Sequence, residues 1–151
     1  MRSAEAQSLK GTLTAIFRRR GSDGSYTRLF DSLDSSQQSC LASRISLRAG
    51  EFPIIGSIPD ANNWLLLTTE RLAWHSAGEQ REIAIDEIYD AIADLRKLQS
   101  EQKSKSKMQE LKIVTMNRQE FLIELEPGGP LSGTWSALKN IGARNRSKAA
   151  T

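Results

Sequence analysis

A single cysteine, Cys40, in a chain of 151 residues rules out an intrachain disulfide. The disulfide scaffolds of small secreted domains are thereby excluded, and a reducing cytoplasm is the expected location. Histidine is equally scarce. His75 is the only one; it has no partner at zinc spacing, and no G-x-S-x-G elbow supplies a nucleophile for it to activate. No apolar run approaches the roughly 20 residues that a membrane-spanning helix needs. Arg2 is followed by no continuous apolar stretch, so no secretory leader is expected.

Recognisable chemistry is just as sparse. Asp86, Glu87, Asp90 and Asp94 lack the glycine and the ligand spacing of a calcium loop, and read as a solvated acidic face. Gly128-Gly129 has no lysine at the Walker position after it, so it reads as a turn rather than a phosphate cradle. No catalytic residue, metal or cofactor is expected, and the chain reads as non-enzymatic.

What is present is ordinary globular composition with an uneven charge. Hydrophobic residues are 38% and charged residues 26%, as in a soluble domain. One domain is expected, and at this length it buries about 68–70% of the surface its unfolded chain exposes. Residues 1–28 hold six basic and two acidic side chains, and residues 139–151 hold four basic and none acidic. The net charge of +3 therefore comes from the two ends, and the body between them is acidic.

Along the chain, residues 1–24 read as a basic flexible arm. Leu9, Leu13, Ile16 and Phe17 have helical spacing beside Arg18, Arg19 and Arg20, a pattern that transit peptides and surface-binding helices share, and Gly21 to Ser25 forms a joint. Residues 25–46 read as a helical segment, with Tyr26, Leu29, Phe30 and Leu33 along one stripe and Asp34 or Ser35 as a cap for a second piece. Strands follow at Phe52 to Ile58, at Trp64 to Leu67, at Leu72 to Trp74 and at Arg81 to Ile85, joined by short turns as a meander. Residues 87–95 have helical propensity but are assigned to a strand, on the grounds given below. Residues 96–107, RKLQSEQKSKSK, read as a mobile basic loop. A second hairpin is expected over Lys107 to Met116 and Gln119 to Glu126, with Leu122 as an inward exception to its alternation. Pro130 opens a helix that carries Leu131, Trp135, Leu138 and Ile141 on one stripe and stops at Gly142, and 144–151 reads as a frayed basic tail.

Three short motifs carry a resemblance: Leu47 to Glu51 (LRAGE), Leu67 to Trp74 (LTTERLAW) and Ile85-Asp86-Glu87-Ile88. In this order they resemble the pleckstrin-homology-like superfamily, in particular bacterial pleckstrin-homology and GRAM-like domains, over residues 47–143. The resemblance implies an α+β fold: a strongly bent antiparallel β-barrel of about seven strands capped by a C-terminal helix, here with an extra N-terminal helical segment. It implies the strand at 87–95, because pairing in the sheet overrides local propensity. It also implies that Trp135 points from the helix into the barrel. The expected core comprises Trp64, Leu65, Leu67, Leu72, Trp74, Phe121, Ile123, Trp135 and Leu138.

Such scaffolds differ in ligand, so the fold does not decide the task. The first expectation is a cytoplasmic module that binds a protein partner, as an adaptor or a toxin-neutralising immunity protein would. The alternative is a peripheral membrane module, docking on anionic lipid through the arm 1–20 and the loop 96–107. Its contact residues would be Arg18, Arg19, Arg20, Arg96, Lys97, Lys103, Lys105 and Lys107, and the same residues are the candidates for touching a protein partner. Nucleic-acid binding through the basic ends ranks last.

Overall fold

The stretch from Asn63 to Ser76 forms the central hairpin of a five-stranded antiparallel sheet. The computed structural model describes residues 3–93 and 109–150. In chain order they form α1 (Ser3–Arg20), β1 (Thr27–Leu29), a 3-10 turn (Phe30–Ser32), α2 (Ser35–Ile45), β2 (Pro53–Asp60), β3 (Asn63–Thr68), β4 (Arg71–Ser76) and β5 (Glu79–Ala84). A second 3-10 turn (Ile85–Glu87), β6 (Ile88–Ile92), β7 (Glu110–Thr115), β8 (Glu120–Glu124) and α3 (Gly129–Ala149) complete the order. The fold is α+β. Strands β1-β2-β3-β4-β5 make one sheet and β6-β7-β8 a second, and all neighbours are antiparallel. Among the described residues no strand ladder closes the two sheets into a barrel.

The centre of the first sheet, β3 and the start of β4, is buried on both faces. Leu65, Leu67, Leu72 and Trp74 point into the main core. Trp64, Leu66 and Ala73 point the other way, onto Phe30, Leu33, Leu41 and Ile45 from α2 and the turn before it. Alternation is not needed in a strand covered on both sides, which accounts for the unbroken apolar run in β3. Helix α2 lies almost on the sheet: a β-carbon at Gly56 would come within 2.7 Å of the Leu41 side chain. Asp34 caps α2 by accepting from the Gln37 amide at 2.7 Å, while Gln37 accepts from the Asp34 amide at 3.1 Å.

Several expectations give way here. Residues 3–20 are an 18-residue helix and not a loose arm. Its stripe is seated: Leu13 and Phe17 are fully buried in the main core, and the Phe17 ring lies so close to Gly133 of α3 that a β-carbon there would meet it at 2.6 Å. Burying each such side chain contributes about 1.5–3 kcal/mol, enough to hold a helix that propensity alone would leave frayed. Residues 27–29 are a strand at the sheet's edge, where helical spacing suggested a helix. The apolar residues Leu29, Phe30 and Leu33 are buried by a strand and a 3-10 turn instead.

Residues 88–92 are a strand despite their helical propensity, because β7 pairs with them. Leu122 is not an inward exception; it is 61% exposed. Helix α3 does not stop at Gly142 but runs to Ala149, through most of the expected tail. Gly142 is a point of contact, since a β-carbon there would sit 2.4 Å from the carbonyl oxygen of Tyr89. Of the residues assigned to the core, Phe121 and Trp135 are half-buried and the other seven are buried. No helix among the described residues is long and apolar enough to cross a membrane.

Candidate binding cleft between the two sheets

Strand β6 is the edge of its sheet, and α3 covers that edge. Trp135 Nε1 donates to the Ala91 carbonyl at 2.8 Å, and Asn145 Nδ2 donates to the carbonyls of Ile85 and Ile88 at 2.9 and 2.7 Å. Arg146 donates to the Tyr89 carbonyl. Backbone oxygens that would otherwise invite another strand are thus satisfied by side chains. Strand β8, the opposite edge of the same sheet, has no strand across its outer side among the described residues.

A cleft runs beside that edge. One part, about 250 Å³, is lined by Tyr26, Ser57, Asp60, His75, Ile123 and Glu124 among others. A second, about 390 Å³, lies between β5 and β8, with Glu79, Arg81, Glu120 and Leu122 on its walls. Trp74 and Ser76 border both, so the two parts adjoin. The floor is aromatic: Trp74 and Phe121 meet edge to face with centroids 5.8 Å apart, and the Arg81 guanidinium lies 5.6 Å from the Phe121 centroid while pairing with Glu79. Arg81 is the one lysine or arginine among the described lining residues, against the carboxylates of Asp60, Glu79, Glu120 and Glu124.

The ends of the cleft are fixed by carboxylates that accept backbone amides. Glu126 accepts from the amides of Ser25, Tyr26 and Thr27 at 2.7, 2.8 and 2.9 Å, which ties the end of the second sheet to the first strand of the other. Burial pushes its carboxyl up, but these three bonds outweigh it and hold the group below the usual carboxylate range. The Tyr26 phenol is raised by burial and by the charges of Glu126 and Glu124. At the β2–β3 turn, Asp60 accepts from the Asn63 side chain and from the amides of Asn62 and Asn63, which lowers its carboxyl. His75 is held on the cleft wall: Nδ1 bonds the Asn62 carbonyl and the ring stacks on Trp64 at 6.3 Å.

The motif residues Glu51, Thr68 and Arg71 come together in a buried network. Arg71 Nε and Nη2 donate to the two oxygens of Glu51 at 2.9 and 3.0 Å, Nη1 donates to Glu82 at 3.0 Å, and Nη2 also reaches the Ile45 carbonyl at 2.9 Å at the end of α2. Thr68 Oγ1 donates to Glu51 as well. Burial raises the Glu51 carboxyl, the bonds from Arg71, Arg48 and Thr68 more than reverse it, and Arg71 is in turn raised by Glu51. The Arg71 guanidinium is fully engaged by Glu51, Glu82 and the Ile45 carbonyl, so the network braces the hairpin against the end of α2.

Three of the basic candidates lie among the described residues. Arg18, Arg19 and Arg20 are exposed on the last turn of α1, while Arg146 and Lys148 lie on the last turn of α3. The two helices run side by side in opposite directions: Gly21 abuts Gly129 and Gly133, and Glu5 and Ser8 share a groove with Arg144 and Lys148. The two basic clusters therefore sit at opposite ends of the pair, each at a helix C-terminus that favours cations. Arg96, Lys97, Lys103, Lys105 and Lys107 lie outside the described residues, as does Asp94. Gly129 is covered by Ser22, which leaves no open cradle at the start of α3. Among the described residues no group of three side chains could hold a metal ion.

Comparison with protein-family models, curated proteins and solved structures finds no match for this chain. The site stands on its own geometry. In the sequence Asp60 and Glu79 read as acidic surroundings of the meander and Glu120 and Glu124 as the wet face of a strand, while the contact residues expected there are basic. The signal was the alternation of Glu120, Glu124 and Glu126 with Phe121, Ile123 and Leu125.

Proposed function

We propose that this protein is a non-catalytic binding module that recognises a protein partner through the cleft between its sheets. The order of four meander strands, three further strands and a closing helix resembles the pleckstrin-homology-like scaffold, in which binding rather than catalysis is the common task. The observation that carries the reading is the wall chemistry of the cleft: among the described lining residues, four carboxylates and one arginine, over an aromatic floor. Such a surface repels phosphate headgroups and favours the mixed apolar and cationic surface of a polypeptide. Of the carboxylates with clearly lowered pKa, Glu51 and Glu126 brace the fold and do not line the cleft, while Asp60 holds the β2–β3 turn on its wall. An adaptor or an immunity protein would have this make-up.

The test is capture of the tagged full chain from its cell of origin at native abundance, with quantification of what is retained. A stoichiometric protein partner supports the reading, and repeated capture of the chain alone overturns it. The lipid alternative rests on the exposure of Arg18, Arg19 and Arg20, and sedimentation with phosphatidylserine vesicles at low salt is its direct check.

A further inference from the structure

The binding mode follows from which strand edges are open. Three backbone carbonyls of β6, those of Ile88, Tyr89 and Ala91, are already bonded to α3 side chains, so that edge is closed to an added strand. The outer edge of β8 is free of any paired strand among the described residues, and the cleft follows it from Glu120 to Leu125. A strand of five residues at about 3.4 Å each offers an edge about 17 Å long. Beside it stand Leu122, 61% exposed, and the half-buried Phe121, which give an added strand apolar anchors.

Charge selects the occupant. Pairing β8 with β8 of a second copy in antiparallel register about Leu122 would set Glu120 opposite Glu124 twice over, and like charges directly opposite destabilise a ladder. The same carboxylates accept lysine or arginine from a different chain. Among the described residues the ion pair of Glu120 is a loose and exposed one, with Lys112 at 3.6 Å.

Resting on the protein-binding reading above, we infer that the free edge of β8 takes up an extended, basic segment of the partner as an added strand, with alternate side chains in the cleft. Backbone pairing supplies the register. Apolar side chains of the segment cover Phe121 and Trp74, and its cationic side chains meet Glu120, Glu124 and Glu79.

The test uses the purified full chain and three synthetic peptides of equal length: one alternating lysine and valine, one alternating glutamate and valine, and the first with N-methyl groups on its central amides. Amide hydrogen exchange is followed residue by residue. The lysine peptide is expected to slow exchange in Glu120–Glu124, and the acidic and methylated peptides are not. The double variant Glu120→Lys, Glu124→Lys should bind the lysine peptide at least about tenfold more weakly while keeping its own unfolding midpoint. Binding that survives N-methylation, protection that appears elsewhere, or no binding at all overturns the strand-addition mode. A chain that still captures its partner after such a failure keeps the protein-binding reading and loses only this edge.

Discussion

Gly142 of the C-terminal helix meets the backbone of Tyr89 so closely that an added β-carbon would stand 2.4 Å from its carbonyl oxygen. The helix can therefore lie on β6 only if this position has no side chain. Gly142→Ala must move backbone against backbone, at a cost of about 1–3 kcal/mol that exceeds the gain of up to about 1 kcal/mol from helix propensity. Gly11 of α1 has nothing within 4 Å, so Gly11→Ala should stabilise by about 0.4–1 kcal/mol. Urea unfolding of the two variants should give shifts of opposite sign; shifts of the same sign would deny the close approach.

Arg71 is the hub that holds the β3–β4 hairpin to α2, through Glu51, Glu82 and the Ile45 carbonyl. Arg71→Met leaves the Glu51 carboxylate buried without its charge partner, and about 3–5 kcal/mol should be lost. Adding Glu51→Met removes the stranded charge and should recover part of that loss. A double-mutant cycle in urea measures the coupling, and strictly additive losses would show that the pair is not coupled.

The Glu126 clamp makes stability depend on acid. Its carboxyl titrates below its ordinary value in the fold, so the stabilisation is complete above the unfolded value of about 4.3 and is lost as the pH falls through the folded value. Glu51 contributes in the same direction. Glu126→Gln should lower stability at neutral pH and flatten the decline below the ordinary carboxylate range. Urea midpoints taken between neutral and acidic pH check this, and an unchanged slope would contradict it.

Asn145 was expected in a frayed tail, yet it is buried and bridges the carbonyls of Ile85 and Ile88. Asn145→Ala should cost about 1–3 kcal/mol by leaving two carbonyls without donors. Trp135→Phe removes one donor from Ala91 and should cost about 1 kcal/mol beyond any loss of packing. Thermal unfolding of both variants tests whether α3 seals the β6 edge.

Much of this architecture could be read from local chemistry. Trp64 to Leu67 and Leu72 to Trp74 declared a hairpin, Asp34 or Ser35 a helix cap, which is Asp34, and Pro130 a helix start. What stayed hidden depends on distant partners. Leu13 and Phe17 look like an arm's weak stripe until the main core takes them in, with Phe17 seated on Gly133. Residues 88–92 favour a helix by local propensity, and only the resemblance implies the strand that β7 pairs with. Gly142 looks like a stop because a glycine that ends a helix and one that lets a strand approach are identical in sequence. The cleft was missed for a similar reason, since Asp60, Glu79, Glu120 and Glu124 are scattered along the chain and converge only when the two sheets face each other.

The most direct test of a partner seated in the inter-sheet cleft is site-specific photo-cross-linking in the cell of origin. Separate chains would carry the photoreactive residue in place of Leu122 at the cleft, Ser43 on the exposed side of α2, or Arg19 at the end of α1. The account predicts a covalent adduct with one protein partner from position 122 and none from position 43. Adducts from position 43 or 19 without one from 122, or no adduct from any of them, would contradict it.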